Sequence, residues 1–150
     1  GVYKLTAIED KKGNIIPKIK ISENIDKITT PHYKKLYRLF DRDNHKAIAD
    51  LITIHDEVID DSKPLEIFDP HAIWKRKTVT NFIAEPLLLP VFKNGKQVMD
   101  LPPLKEIREY CKNQIDNLWD EVKRFESPHN YYVDLSQALW DIKNNMLPKK

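Results

Sequence analysis

Glycine is scarce: the 3 glycines of this 150-residue chain stand at positions 1, 13 and 95. A protein that cradles phosphate in backbone amides normally does so with a glycine-rich loop ahead of a helix, and the chain has none. The Gly-x-Ser-x-Gly elbow and the Gly-x-Gly-x-x-Gly fingerprint are missing for the same reason. Cysteine is scarcer still. Cys111 stands alone, which excludes an internal disulfide and fits a reducing compartment. No apolar run approaches the roughly 20 residues that span a bilayer, and no secretory leader pattern opens the chain. No membrane association is expected, and the expected location is the cytoplasm. An excess of one charge is also lacking. The balance of 25 basic and 23 acidic residues leaves a net charge of +2, too little for a strong pull toward nucleic acid or anionic lipid. The near-neutral charge and the absence of paired aromatics on one strand also argue against an RNA-binding sheet.

What is present suits one domain with a core of its own, 41% hydrophobic and 32% charged. Residues 1–101 read as strand-rich and 102–147 as helical. Val2 to Ile8 is β-prone and turns at Lys11-Lys12-Gly13-Asn14. Ile15, Pro17, Ile19 and Ile21 alternate with Lys18 and Lys20, the period of a half-buried strand with lysines on its open side. Ser22 to Lys34 is polar, contains Pro31, and reads as a loop. Lys35–Phe40 and Ala47–Ile54 form a hairpin around Asp41-Arg42-Asp43-Asn44. Leu65–Phe68, Lys77–Ile83 and Leu87–Phe92 are further strands, the last two separated by Pro86. Asn94-Gly95 predicts a type I′ hairpin turn. After Pro102-Pro103 the period changes. Leu104, Ile107, Cys111, Ile115, Leu118, Val122 and Phe125 make one apolar face of a single helix of roughly five or six turns. Ser127-Pro128 ends it, and a second helix carries Leu135, Leu139, Ile142 and Met146, followed by a frayed tail, Pro148-Lys149-Lys150. The expected class is α+β: a mostly antiparallel sheet, then two amphipathic helices.

Residue types alone point to little chemistry. None of His32, His45, His55, His71 and His129 lies at metal-ligand spacing with another histidine or with Cys111. His55-Asp56-Glu57 reads as a surface-loop cluster, and Cys111, on an apolar helix face, as a small buried hydrophobe. Asp60 and Asp61 are neighbours in an extended segment, so their side chains diverge. What remains is a set of lysines, Lys4, Lys18, Lys20, Lys27, Lys34 and Lys35, interleaved with hydroxyls at Ser22, Thr29 and Thr30. Brought together, such groups bind phosphate or pyrophosphate. Spread over an open sheet face, they only keep strands from pairing with strangers.

In order along the chain come Gly1-Val2-Tyr3-Lys4-Leu5, Pro17-Lys18-Ile19-Lys20-Ile21-Ser22-Glu23, Lys27-Ile28-Thr29-Thr30-Pro31, Lys34 and Arg38. They are followed by Glu85-Pro86-Leu87-Leu88, Leu101-Pro102-Pro103-Leu104, Ile107-Arg108 and Ser127-Pro128-His129-Asn130-Tyr131-Tyr132-Val133-Asp134-Leu135-Ser136. This ordered series resembles the C-terminal portion of nicotinate phosphoribosyltransferases over essentially the whole chain. The block Leu87 to Arg108 is also similar to the related nicotinamide enzymes, while the opening and closing motifs favour the nicotinate branch.

The resemblance implies an enzyme that joins nicotinate to phosphoribosyl pyrophosphate, giving nicotinate mononucleotide and pyrophosphate for NAD synthesis. It implies Mg2+ and coupled ATP hydrolysis in the intact enzyme, with no cofactor held by this segment alone. It also implies a sheet domain beside an irregular α/β barrel, usually in a homodimer. The partners would be the N-terminal and barrel portion of the same enzyme, with no nucleic acid. Lys4 resembles a family lysine near the pyrophosphate. Lys20 and Ser22, or Lys27, Thr29 and Lys34, resemble a loop over the phosphates. The glycine-rich phosphate segment, the transiently phosphorylated histidine and the aromatic pair around the pyridine ring belong to family sequence upstream of Gly1. The start without methionine is therefore read as a piece of a longer enzyme, inactive alone and supplying no catalytic residue. The competing reading is a non-catalytic interaction module, marked by exposure of the apolar stripe Leu104 to Phe125.

Overall fold

The structure, a computed structural model, describes residues 3–148. The two longest apolar alternations make its centre. β3 (Lys34–Asp41) and β4 (Ala47–Ile54) pair antiparallel, with a register shift between Leu39 and Phe40. β7 (Phe82–Pro86) joins β3 on its other edge, also antiparallel. β10 (Val133–Leu135) joins β4 in parallel, giving the order β10-β4-β3-β7. Three two-stranded ribbons surround this sheet: β1 (Ala7–Glu9) with β2 (Ile15–Pro17), β5 (Leu65–Phe68) with β6 (Arg76–Val79), and β8 (Phe92–Lys93) with β9 (Lys96–Gln97). Asn94 and Gly95 both take positive φ in the last ribbon, as a type I′ turn requires.

The core follows from the pleat. Leu39 lies opposite Ala49 and Tyr37 opposite Leu51, so these side chains share one face. On that face Leu39, Ala49, Leu51 and Phe82 pack with Ile67 of β5 and Val79 of β6. Arg38 and Asp50 lie opposite one another and so project from the other face. There Arg38 donates from Nε to Asp50 Oδ1 at 2.7 Å and from its Nη2 to Oδ2 at 2.9 Å. Tyr131 Oη adds a 2.9 Å bond to the same carboxylate, and Arg38 Nη1 donates to Gln114 Oε1 at 2.9 Å. Asp50 holds the guanidinium well above its ordinary pKa, while burial and the charge on Asp50 raise the Tyr131 phenol.

Several expectations are corrected. The helix predicted from Leu104 to Phe125 stops early: α1 is Leu104–Asp116, and a separate short α2 is Asp120–Lys123. The hairpin end takes over its final carbonyls. Lys46 Nζ donates to Asp116 O at 2.7 Å, and the Ala47 N–H donates to Asn117 O at 2.8 Å. With those acceptors committed outside the helix, Trp119 turns extended at ψ 147°. Leu135 lies on β10, not on the second helix. That helix, α3, runs Gln137–Met146 behind Ser136, whose Oγ accepts from the Leu139 N–H. Only Ile15–Pro17 of the alternating Ile15–Ile21 stretch is strand, and Ile21 is exposed. The Lys77–Ile83 run divides at Asn81, whose φ of 53° turns the chain between β6 and β7. Leu87 to Val91 is not strand. Pro86 closes β7, a sheet-edge position where its missing N–H is tolerated. The expected start at Val2 and the frayed Lys149-Lys150 lie outside the described residues.

The apolar stripe along α1 is not covered by the sheet. No residue of α1 is buried, Leu104 is 72% exposed, and Cys111 is exposed rather than a core hydrophobe. By contrast α3 packs on β4 with Leu139 fully buried, and Trp140 meets Phe68 edge-on with ring centroids 6.0 Å apart.

The Arg38–Asp50 pair generates a stability prediction. Asp50→Ala leaves a largely buried guanidinium without its carboxylate and is expected to cost about 3–5 kcal/mol. The double variant Arg38→Met/Asp50→Leu should lose clearly less. Urea unfolding of both variants checks this, and equal losses would contradict it.

Candidate functional site

Most of the lysines and hydroxyls singled out for phosphate lie on or beside one loop, residues 18–32, held shut at its base. Thr6 O accepts from the Lys18 N–H at 2.8 Å and from the His32 N–H at 2.7 Å, pinning the two ends of residues 18–32 on one carbonyl. A second rung lies inside it: the Lys20 N–H donates to Thr29 Oγ1 at 2.9 Å, and the Thr29 N–H donates to Lys20 O at 3.3 Å. A 3-10 turn over Ile25–Lys27 forms the loop's far end. The structure thus places Lys20 against Thr29, with half-buried Ser22 and exposed Lys27 farther out on the same loop. Lys4 is exposed, two residues before the Thr6 carbonyl that closes the base.

Lys34 is placed differently. Its ammonium donates to three carbonyls, Thr30 O at 2.9 Å, Pro31 O at 3.3 Å and His32 O at 2.7 Å. An ammonium has three hydrogens, so all are engaged in folding the loop's exit. Residue 32 makes this possible. His32 is buried and holds φ at 81°, a left-handed conformation that turns the chain back toward β3. Burial lowers the Lys34 pKa.

A lysine that sequence reasoning passed over reaches the same spot. Lys143 of α3 donates to Thr30 Oγ1 at 3.4 Å, is half-buried, and has its pKa lowered by desolvation. The available signal was helical spacing: Lys143 stands four residues after Leu139 and so shares the face that packs inward.

His55-Asp56-Glu57 lies in the turn after β4, as expected, with Asp56 exposed but His55 and Glu57 partly buried. The His55 ring lies 5.8 Å from His32 and 5.1 Å from Tyr33 between centroids, and its Nδ1 is buried without a hydrogen-bond partner. Glu57 Oε2 accepts from Ser136 Oγ at 2.7 Å and from the Ile54 N–H at 3.3 Å, tying the end of β4 to the start of α3. Asp60 and Asp61 do diverge. Asp60 pairs with Lys63 at 2.7 Å, and Asp61 faces Arg42 at 3.7 Å.

Hollows lie elsewhere too, one of them a shallow groove along α1 lined by Leu104, Lys105, Arg108, Glu109 and Lys112. An open cleft of about 570 Å³ runs between the β3–β4 tip, β6 and the segment 119–132. Its charged lining, Asp41, Lys77 and Glu121, is acidic on balance and does not suit a phosphate. A smaller hollow of about 140 Å³ is walled by Phe68, Asp69, Arg76, Tyr132 and Asp134. Asp134 is 3% exposed, and burial, with Asp69 adding like charge, pushes its carboxyl up to about 6.

Residues 33–143 match the nicotinate phosphoribosyltransferase C-terminal domain family. The nicotinate phosphoribosyltransferase of Bacillus subtilis is 40% identical over 143 residues, covering 95% of this chain and 29% of that protein. That of Dictyostelium discoideum is 35% identical over 152 residues, covering 97% of this chain and 25% of that protein. The crystal structure of human nicotinic acid phosphoribosyltransferase superposes with a TM-score of 0.70 at 27% identity, over 79% of this chain and 23% of that one. The chain therefore spans less than a third of the length of these relatives.

Asp134 generates a pH prediction. Its pKa is higher folded, about 6, than the ordinary 3.8 expected when unfolded. The folded state thus holds the extra proton between those values, and stability falls as pH rises through about 6. Asp134→Asn removes the buried charge. It is expected to stabilise the chain by about 1–3 kcal/mol at pH 7.5 and by little below pH 4. Thermal unfolding across this range checks the prediction, and a gain independent of pH would contradict it.

Proposed function

The chain belongs to the nicotinate phosphoribosyltransferase C-terminal domain family, and from that premise we propose that it serves an enzyme joining nicotinate to phosphoribosyl pyrophosphate, with nicotinate mononucleotide and pyrophosphate as products. The family match over 33–143 carries this reading. The same fold in the human enzyme supports it. Mg2+ and ATP would act in the intact enzyme, in the cytoplasm, with no cofactor resident on this segment. No helix among the described residues is long and apolar enough to cross a membrane.

The chemistry asked of this segment is electrostatic. Breaking the bond between C1 of the ribose and pyrophosphate leaves charge on the departing group. A fixed cation beside it stabilises the transition state more than the ground state. Lys4 is assigned to the pyrophosphate. Lys20, Ser22, Lys27, Thr29 and Lys34 are assigned to the loop over the phosphates, with Lys34 contributing charge at a distance because its hydrogens are engaged.

The uncovered face of α1 supports a docking role within the same enzyme. Leu104, Ile107 and Ile115 are between 47% and 72% exposed on one side of the helix. Such a stripe is ordinarily covered in a working assembly. Its partner is assigned as the N-terminal and barrel portion of the enzyme, in a homodimer. The exposed stripe is also the mark of an interaction module, and on this reading the two roles coincide.

Reconstitution tests the proposal. The chain is mixed with the N-terminal and barrel portion, nicotinate, phosphoribosyl pyrophosphate, Mg2+ and ATP, and nicotinate mononucleotide is quantified. Product is expected only from the mixture, and Lys4→Ala should lower kcat by about 100-fold. Turnover by the chain alone would overturn the assignment of roles. No product from a folded, associated mixture would overturn the nicotinate activity, and nicotinamide as acceptor would then identify the related enzyme.

A further inference from the structure

Thr30 is the point where two ammonium groups from different elements meet. Lys34, at the start of β3, reaches its carbonyl at 2.9 Å, and Lys143, on α3, reaches its hydroxyl at 3.4 Å. Both lysines are half-buried. Among the described residues no carboxylate forms an ion pair with either. Two positive charges are thus partly withdrawn from water, and among the described residues no carboxylate pairs with them to offset the cost.

The two groups differ in what they have left to offer. All three Lys34 hydrogens go to the carbonyls of Thr30, Pro31 and His32. Among the described residues Lys143 makes one long contact, to a hydroxyl oxygen that keeps its own proton for donation. An incoming anion would find donors on Lys143 and Thr30, with the Lys34 charge behind them. The site also lies at the exit of the loop pinned on Thr6, beside Lys20 and Thr29.

We infer that Lys143 and the Thr30 hydroxyl form a phosphate-binding contact, taking an oxygen of a phosphate or pyrophosphate group, with Lys34 as the positioning residue that holds the loop's carbonyls away from the anion. The inference rests on the phosphoribosyl-transfer reading and adds a residue from α3 to the set placed on the loop. Lowering of both lysine pKa values by desolvation agrees with it, since a bound anion restores what burial removes.

The test is a titration of the chain, isotopically labelled at lysine, with inorganic pyrophosphate, followed by NMR of the lysine side chains. A saturable shift of the Lys143 signal is expected, with its pKa rising on binding. Lys143→Gln should weaken pyrophosphate binding about 10-fold or more, and Lys143→Arg should recover most of it. Thr30→Val should weaken it by a smaller factor. Absence of a saturable Lys143 shift in the unsubstituted chain would overturn the inference without requiring any variant to fold, as would a folded Lys143→Gln chain that binds like the parent. If the reconstituted enzyme makes nicotinate mononucleotide while Lys143 stays silent to pyrophosphate, this inference falls and the enzyme assignment stands.

Discussion

The pairing of Arg38 with Asp50 across the central hairpin is the contact on which the rest of the arrangement hangs. It sits between two strands in direct register and is bidentate, so it specifies both the register and the face. Slipping β3 against β4 by one residue would turn Arg38 into the apolar face occupied by Leu39, Ala49 and Leu51 and part it from Asp50. The carboxylate also accepts from Tyr131, which leads the chain into β10, and the guanidinium reaches Gln114 on α1. One buried pair thereby connects the sheet, the first helix and the closing strand. Its value lies in fixing one arrangement. Buried ion pairs seldom exceed a good apolar contact in net stability, but a wrong partner or a missing one is costly.

The loop of residues 18–32 depends on this frame at second hand. β4 ends at Ile54, beside Glu57, and Glu57 receives the Ser136 hydroxyl that caps α3. Fixing α3 on β4 directs Lys143 to Thr30, and the start of β3 directs Lys34 to the same residue from the other side. His32 supplies the left-handed turn that lets three carbonyls converge on one ammonium. A conformation of that kind in a bulky residue persists only where its surroundings hold it, and here the stack with His55 and the bond to Thr6 do so.

Much of this was legible from local pattern. The hairpin of β3 and β4, the ribbon turning at Asn94-Gly95, the strand Leu65–Phe68 and the start of α1 after two prolines each follow from signals a few residues long, and the motif series carried the family. Readings that required a neighbour from far along the chain went astray. Helical periodicity continued through Leu118 to Phe125, yet Lys46 and Ala47 take the carbonyls of Asp116 and Asn117 and end the helix. Leu135 fits a helix face by spacing, but β4 offers it a parallel partner. Cys111 and its apolar neighbours look like core residues, yet none of them is buried.

The lysines show the same division. Sequence determined which cations and hydroxyls were available between Lys4 and Lys34 and that they punctuate a polar loop. It determined the α+β class and the family as well, because turn chemistry, periodicity and ordered motifs are written locally. Tertiary structure alone decided that Lys34 has its hydrogens engaged by backbone carbonyls, that Lys143 arrives from α3, and that Asp134 is buried facing Asp69. The physical reason is that a charged group's role depends on which donors, acceptors and charges surround it. Those surroundings are assembled by strands and helices distant in the chain, at distances that no spacing within one segment can encode.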